Sequence, residues 1–266
     1  MQILNLVNLE KSDIKYTLSR FPDGEVQISL GDFSHKDQIC VKCRITNAEE
    51  LFIITQVLDI LDRHDVYYDV DIFYLMGMRM DRVMDFNRPF TLKVVSTLLS
   101  RSKAHEIRIL EPHSKRIFDL SNIFTEHIDD ILEGFKTELL SCRQLVLPDA
   151  GAQKRYPNVS KAIFCSKVRD EQTGKLTGFE VKNPKDIQSK DLLILDDLCD
   201  GGGTFCGIAA ELKKYKPDAD INIFVTHMVN RKGIENLAKT FNKVYFTNSY
   251  RTWDNLPDNV IQIKII

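Results

Sequence analysis

Leu192-Leu193-Ile194-Leu195-Asp196-Asp197-Leu198-Cys199-Asp200-Gly201-Gly202-Gly203-Thr204-Phe205 is the stretch that decides how this chain reads. An apolar strand ends in two adjacent acids, Asp196 and Asp197, and a glycine-rich turn, Asp200-Gly201-Gly202-Gly203-Thr204, then opens a helix. Glycines let successive backbone N–H groups curl around an anion with no Cβ in the way, and the helix dipole favours negative charge at that end. The paired acids can accept hydrogen bonds from the vicinal hydroxyls of a sugar, and phosphate plus diol describes a ribose phosphate. A glycine turn alone has a purely steric explanation, so its weight comes from being coupled to paired acids on a hydrophobic strand. No Gly-Lys-Ser/Thr follows, which excludes a Walker loop.

Outward from this segment, apolar runs and amphipathic stretches alternate. Strands are expected at 38–44, 70–76, 106–112, 143–150, 191–197, 221–227 and 243–248. Helices are expected at 49–63, at 88–102 with a proline in the first turn, at about 204–215, and near 233–240. Strand–helix–strand repetition argues for parallel sheets covered by helices. The pattern occurs twice, with a break around 115–142 where no strong strand is read. Two α/β lobes with a cleft between them are therefore expected, over 1–125 and 126–266, with ligands beyond the carboxyl ends of the strands. One stretch, 165–186, is polar, and its Thr173-Gly174-Lys175-Leu176-Thr177-Gly178 core reads as a mobile hairpin, either a functional loop or a solvated one.

The bulk composition narrows the class. A formal net charge of −2 gives no reason to expect nucleic acid or an anionic membrane surface as a partner, so an anionic ligand needs a local basic site. No apolar run approaches the roughly 20 residues that cross a bilayer, and the first residues lack the features of a signal peptide. Cys40 and Cys43 have CxxC spacing but lie on an alternating strand, where residues three apart face opposite ways. A metal or redox role for them is not expected, and a reducing cytoplasm is the simplest setting.

The glycine turn with its acids resembles the phosphoribosyl-pyrophosphate loop of type I phosphoribosyltransferase folds, and further motifs resemble the ribose-phosphate pyrophosphokinases (PRPP synthetases). Phe21-Pro22-Asp23-Gly24-Glu25 is similar to that family's FPDGE element, and Arg79-Met80-Asp81-Arg82 stands where the family has RQDR, followed by Arg88-Pro89. His113, in Ile109-Leu110-Glu111-Pro112-His113, resembles the histidine of the family's catalytic region. Pro148-Asp149-Ala150-Gly151 with Lys154-Arg155 is similar to PDAGxxKR, Lys167-Val168-Arg169 to the basic K-x-R at the root of the catalytic loop, and Val225-Thr226-His227 to an element near the C-terminus. The matches keep the family's order from about residue 21 to 227.

The resemblance implies two phosphoribosyltransferase-type lobes with a β-hairpin catalytic loop, and a transfer of the β,γ-diphosphoryl group of ATP to the anomeric hydroxyl of a ribose 5-phosphate unit, with AMP leaving. Such transfers depend on positioning and on neutralising spread-out charge. Lys167 and Arg169 would stabilise the transition state from a loop able to close. His113 and Asp149 would hold Mg2+ directly or through water; read alone, His113 is also compatible with a structural histidine, and Asp149 with a helix N-cap. Arg79, Met80, Asp81 and Arg82 would serve ATP, though two arginines can also be merely solvated. Phe21, Asp23 and Glu25 would read the adenine of a neighbouring subunit, which implies a homodimer or larger homo-oligomer; read alone, Pro22-Asp23-Gly24 is a plain turn. Asp196, Asp197, Asp200, Gly201, Gly202, Gly203 and Thr204 would hold the ribose phosphate.

Departures from the family pattern shape the remaining expectations. Met80 replaces a glutamine, and the chain stops at Ile266, before the C-terminal extension common in the family, which leaves hexamer formation and allosteric control open. Gly201 replaces the first threonine of D-T-G-G-T, removing a hydroxyl donor and opening space beside the phosphate. Either the replacement is neutral, or the pocket takes a ribose 5-phosphate whose phosphate is substituted, ADP-ribose being the natural candidate, as in a branch of similar enzymes in NAD salvage. A phosphoribosyltransferase consuming PRPP would share the ribose-phosphate loop but needs no RMDR, His113 or Lys167/Arg169 set. A non-catalytic regulatory relative could lose catalytic side chains that are all present here.

Overall fold

The computed structural model describes residues 1–141, 143–157, 159, 161–170 and 176–266. The side chain of Arg169, the hairpin tip 171–175 and Cys142 lie outside the described residues. The chain divides into two compact units, Met1–Ile128 with Ile266, and Asp129–Ile265.

In the first unit the elements follow as β1 (Gln2–Asn5), β2 (Tyr16–Arg20), β3 (Val26–Leu30), β4 (Ile39–Ile45), α1 (Ala48–His64), β5 (Tyr68–Leu75), α2 (Thr91–Leu99), β6 (Glu106–Leu110), α3 (Arg116–Leu120) and β7 (Phe124–His127). Five strands form a parallel sheet in the order β1-β4-β5-β6-β7, and β2 and β3 make a separate antiparallel hairpin. Every residue of the central β5 is buried, as a strand covered on both faces requires. Helix α1 starts where the Asn47 side chain accepts from Glu50 N at 3.0 Å while the Glu50 carboxylate reaches back to Thr46 N, a reciprocal cap. It buries Ile54, Val57, Leu58 and Leu61, one helical stripe.

Two readings of this unit need correction. Pro89 lies outside α2: Phe90 is the N-cap, and the N–H of Leu92 in the first turn is taken by the carbonyl of Met80 at 3.1 Å. The stretch in which no strong strand is read contains the short β7, which pairs with β6, so a boundary after residue 125 falls inside a strand. Phe-Thr-Glu-His is too short for its alternation to stand out.

The second unit runs α4 (Asp130–Ser141), β8 (Gln144–Leu147), α5 (Ala150–Arg155), β9 (Ile163–Arg169), β10 (Leu176–Val181), β11 (Asp191–Cys199), α6 (Gly203–Tyr215), β12 (Asp220–Met228), α7 (Arg231–Thr240), β13 (Val244–Thr247) and β14 (Val260–Ile263). Its seven strands are ordered β10-β9-β8-β11-β12-β13-β14, all parallel except β10, which returns antiparallel to β9 as the expected hairpin. The core fills around Ile194, Ile223, Val225, Ile208, Leu212 and Leu237. No helix among the described residues is long and apolar enough to cross a membrane. Cys40 and Cys43 are buried free thiols; Cys40 Sγ donates to Asp71 Oδ2 at 3.2 Å, and burial above all pushes its thiol up to about 12.

Candidate active site

Strand β11 runs past the two acids to Cys199, held in register with β12 from Asp191↔Asp220 to Cys199↔Met228. Asp196 and Asp197 thus lie within the strand, two residues before its end, and not at its last position. Neighbours on a strand normally face opposite ways, yet Nη1 of Arg155 lies 2.8 Å from Asp196 Oδ1 and 2.9 Å from Asp197 Oδ1. Both carboxylates are buried, Asp197 almost completely, with its side chain 2% exposed. Burial first, then the Asp197 charge, raises Asp196 far above the usual carboxylate range against the pull of Arg155. Arg155 stands in the basic dipeptide after Pro148-Asp149-Ala150-Gly151, but nothing in the sequence marks it as the partner of acids forty residues away.

The turn that follows is built to leave its backbone open. Gly202 is the N-cap of α6 at φ 78°, a conformation that favours glycine, and no side chain caps the helix there. A Cβ at Gly201 or Gly203 would meet nothing within 4 Å. The loop is gripped from its other side: Asn230 Nδ2 donates to Asp200 Oδ1 at 3.0 Å, and Asn236 Nδ2 donates to Gly201 O at 2.8 Å. Gly233, on the same helix as Asn236, lets that helix approach, since a Cβ there would lie 2.0 Å from the Asp200 carbonyl oxygen. Gly233 and Asn236, within the expected helix, and Asn230, its N-cap, are loop-holding residues that the sequence did not single out.

Asp149 does cap α5: its Oδ1 accepts from Gly151 N at 2.9 Å and Ala152 N at 3.1 Å. Its second oxygen, Oδ2, meets Lys167 Nζ at 3.1 Å. Burial pushes this carboxyl up, but the Ala152 N–H and the Lys167 ammonium outweigh it and hold Asp149 below its ordinary value. Arg155 is the last residue of the same helix, so α5 carries the Lys167 contact at one end and the acid-pair contact at the other.

In the first unit Asp81 organises the expected nucleotide residues. It is 8% exposed, its Oδ1 accepts from Arg82 Nε at 2.9 Å, and its backbone carbonyl accepts from Arg116 Nη1 at 3.2 Å. Burial raises this carboxyl, yet hydrogen bonds from Arg82 and Ser114 bring it below the usual range. The contact with Ser114 joins the Arg79–Arg82 turn to the segment carrying His113, which is exposed. Met80 is half exposed, with its Sδ 3.4 Å from the Thr91 hydroxyl. Phe21, Asp23 and Glu25 occupy the β2–β3 turn, closed by Phe21 N donating to Glu25 O at 2.8 Å and by Gly24 at φ 96°. Phe21 is 49% exposed and lines a groove with Phe52 and Gln56 of α1.

Among the described residues no group of three or more His, Cys, Asp or Glu side chains is placed to enclose a metal. Magnesium keeps several waters and needs few protein oxygens. Asp149 Oδ2 already faces a cation, the Lys167 ammonium, so a hard oxygen donor stands where positive charge is accepted.

The mainly parallel seven-stranded sheet, the acid pair and the open glycine turn define the second unit as a phosphoribosyltransferase-type α/β fold. The chain is 26% identical over 252 residues to a ribose-phosphate pyrophosphokinase of Helicobacter hepaticus, covering 91% of this chain and 81% of that one. It is 29% identical over 226 residues to the ribose-phosphate pyrophosphokinase of Vibrio cholerae, covering 80% of this chain and 71% of its relative. The crystal structure of phosphoribosylpyrophosphate synthetase from Mycobacterium smegmatis superimposes with a TM-score of 0.77 at 19% identity, over 100% of this chain and 95% of that one, a likeness of fold. No protein-family model matches. Over most of its length the chain is thus similar to the ribose-phosphate pyrophosphokinases, the PRPP synthetases.

Proposed function

We propose that this enzyme transfers the β,γ-diphosphoryl group of ATP to the anomeric hydroxyl of a ribose 5-phosphate unit and releases AMP. The observation that carries the reading is the second unit's arrangement: an acid pair and an uncapped glycine turn on β11–α6, with Lys167 ion-paired to Asp149. In this reading Asp196 and Asp197 accept from the ribose hydroxyls, while the backbone of Asp200, Gly201, Gly202, Gly203 and Thr204 holds the 5-phosphate. Arg79, Met80, Asp81 and Arg82 serve ATP, and Phe21, Asp23 and Glu25 reach the adenine of a second copy in a homo-oligomer. Lys167 and Arg169 hold the developing charge on the transferred group.

Asp149 and His113, directly or through water, would hold Mg2+, which when bound neutralises charge on the triphosphate. The part played by this chain is to present Asp149 Oδ2 and to supply Lys167 once that oxygen is otherwise engaged.

The open space at Gly201 supports an acceptor with a substituted 5-phosphate, ADP-ribose giving ADP-ribose pyrophosphate, alongside ribose 5-phosphate itself. The purified protein is to be offered each acceptor with ATP and Mg2+, with AMP followed by chromatography. AMP formation dependent on an acceptor is expected. Turnover of ribose 5-phosphate alone removes the extended acceptor, and AMP from neither removes the whole reading.

A further inference from the structure

One guanidinium nitrogen holds both members of the acid pair. Arg155 Nη1 sits 2.8 Å from Asp196 Oδ1 and 2.9 Å from Asp197 Oδ1, and all three side chains are largely buried, at 13%, 13% and 2% exposure. Two adjacent carboxylates on one strand would otherwise splay to opposite faces and repel each other in a site of low dielectric. A single cation bridging them draws one oxygen of each toward one point and holds the two side chains together. Asp196 Oδ1 also accepts from the Asp197 backbone N–H at 2.9 Å, so that oxygen is fully committed to the protein.

Resting on the ribose-phosphate reading above, we infer that Arg155 is the positioning residue that sets acceptor affinity, by clamping Asp196 and Asp197 into one diol-binding edge. Arg155 acts through the acids and does not touch the sugar. It stands at the opposite end of α5 from the Asp149 cap, whose bonds come from Gly151 N and Ala152 N, so its loss is expected to leave that cap in place. Lysine offers the charge without the planar fork, so it is a graded replacement and methionine a charge-free one of similar length.

The test uses the full chain. Ribose 5-phosphate and ADP-ribose binding is measured by calorimetry without nucleotide, and steady-state AMP release is measured with ATP, for wild type, Arg155→Met and Arg155→Lys. In Arg155→Met, acceptor affinity is expected to fall at least about tenfold and the acceptor KM to rise in parallel, the KM for ATP staying within about twofold. Arg155→Lys should recover part of the lost affinity. Unchanged acceptor binding in Arg155→Met overturns the inference. An equal rise of both KM values with no recovery by lysine also overturns it, because a merely structural ion pair would give that result. Circular dichroism checks that the variant is folded; should Arg155→Met not fold, Arg155→Lys alone decides, since unchanged acceptor affinity there sinks the clamp. A wild-type protein that binds neither acceptor fails the functional reading instead, and the two failures are thereby told apart.

Discussion

The Nζ of Lys167 lies 3.1 Å from Oδ2 of Asp149, while the other oxygen of that carboxylate caps helix α5. One side chain therefore has two separable duties. A helix needs an acceptor at its N-cap whether or not it is charged, whereas a cation needs the charge.

Asparagine at 149 keeps the cap and loses the charge. Asp149→Asn is expected to melt close to wild type yet to lose about tenfold or more in Mg2+-dependent AMP release. Asp149→Ala should lose about 0.5–2 kcal/mol of stability as well. Thermal melts and initial rates on the two variants check this; equal melts and equal rates would contradict the division of duties.

On the proposed reading Lys167 acts through charge at the reacting group, and it contributes little to the fold, since its pair with Asp149 is about one-third exposed on each side. Lys167→Ala should slow AMP release by about 10²–10³, or ~2.7–4 kcal/mol, at nearly unchanged melting temperature. A rate within a factor of about three of wild type would exclude Lys167 from the reaction.

Two neighbouring glycines should respond in opposite ways. A Cβ at Gly201 meets nothing within 4 Å, so Gly201→Thr should fold normally and shift the acceptor preference toward ribose 5-phosphate over ADP-ribose. Gly202 has φ 78° and Leu237 Cδ2 at 3.2 Å from a Cβ, so Gly202→Ala should cost about 1–2 kcal/mol. Melting curves and competition between the two acceptors read both.

Gly233 touches no proposed ligand, yet a Cβ there would lie 2.0 Å from Asp200 O. Gly233→Ala should push the loop from its place and weaken pentose-phosphate binding while ATP binding persists. Calorimetry with each ligand separately makes the comparison, and undisturbed acceptor binding would show that the loop yields without consequence.

The buried acid pair should leave a mark on stability. Asp196 holds its proton above the unfolded value near 3.9, up to about 8, through burial first and the Asp197 charge second. Between those values the folded state binds more protons than the unfolded one, so stability falls as pH rises through the interval. Asp196→Asn cannot ionise, so its melting temperature should gain on wild type steadily from about pH 5 to pH 8. Parallel melting profiles would show that the carboxyl titrates normally.

Much of this arrangement was legible in the chain. The strands β5, β6, β8, β11, β12 and β13 announce themselves as apolar runs because parallel strands are buried on both faces, and β4 announces itself by its alternation. The turn around Gly202 is readable because only glycine tolerates its backbone, and the Asp149 cap follows from an acid just ahead of a helix. The short β7, with a single fully buried residue in four, gives no period to detect. Pro89 looked like a first-turn proline because the spacing is right, but the Met80 carbonyl, a long-range partner, takes the N–H that would have extended the helix.

By itself the sequence determined the chemistry available to this protein: adjacent acids, a glycine turn, a lysine-bearing hairpin and the order in which they come. Only the tertiary structure decided which of them meet. Arg155 reaches Asp196 and Asp197, and Gly233 lies under Asp200, because the parallel sheet lays β8, β11 and β12 side by side and brings the helices that follow them to the same edge. Local pattern records what a residue can do within a few neighbours, whereas these contacts bridge some thirty to forty residues and exist only once the core has closed.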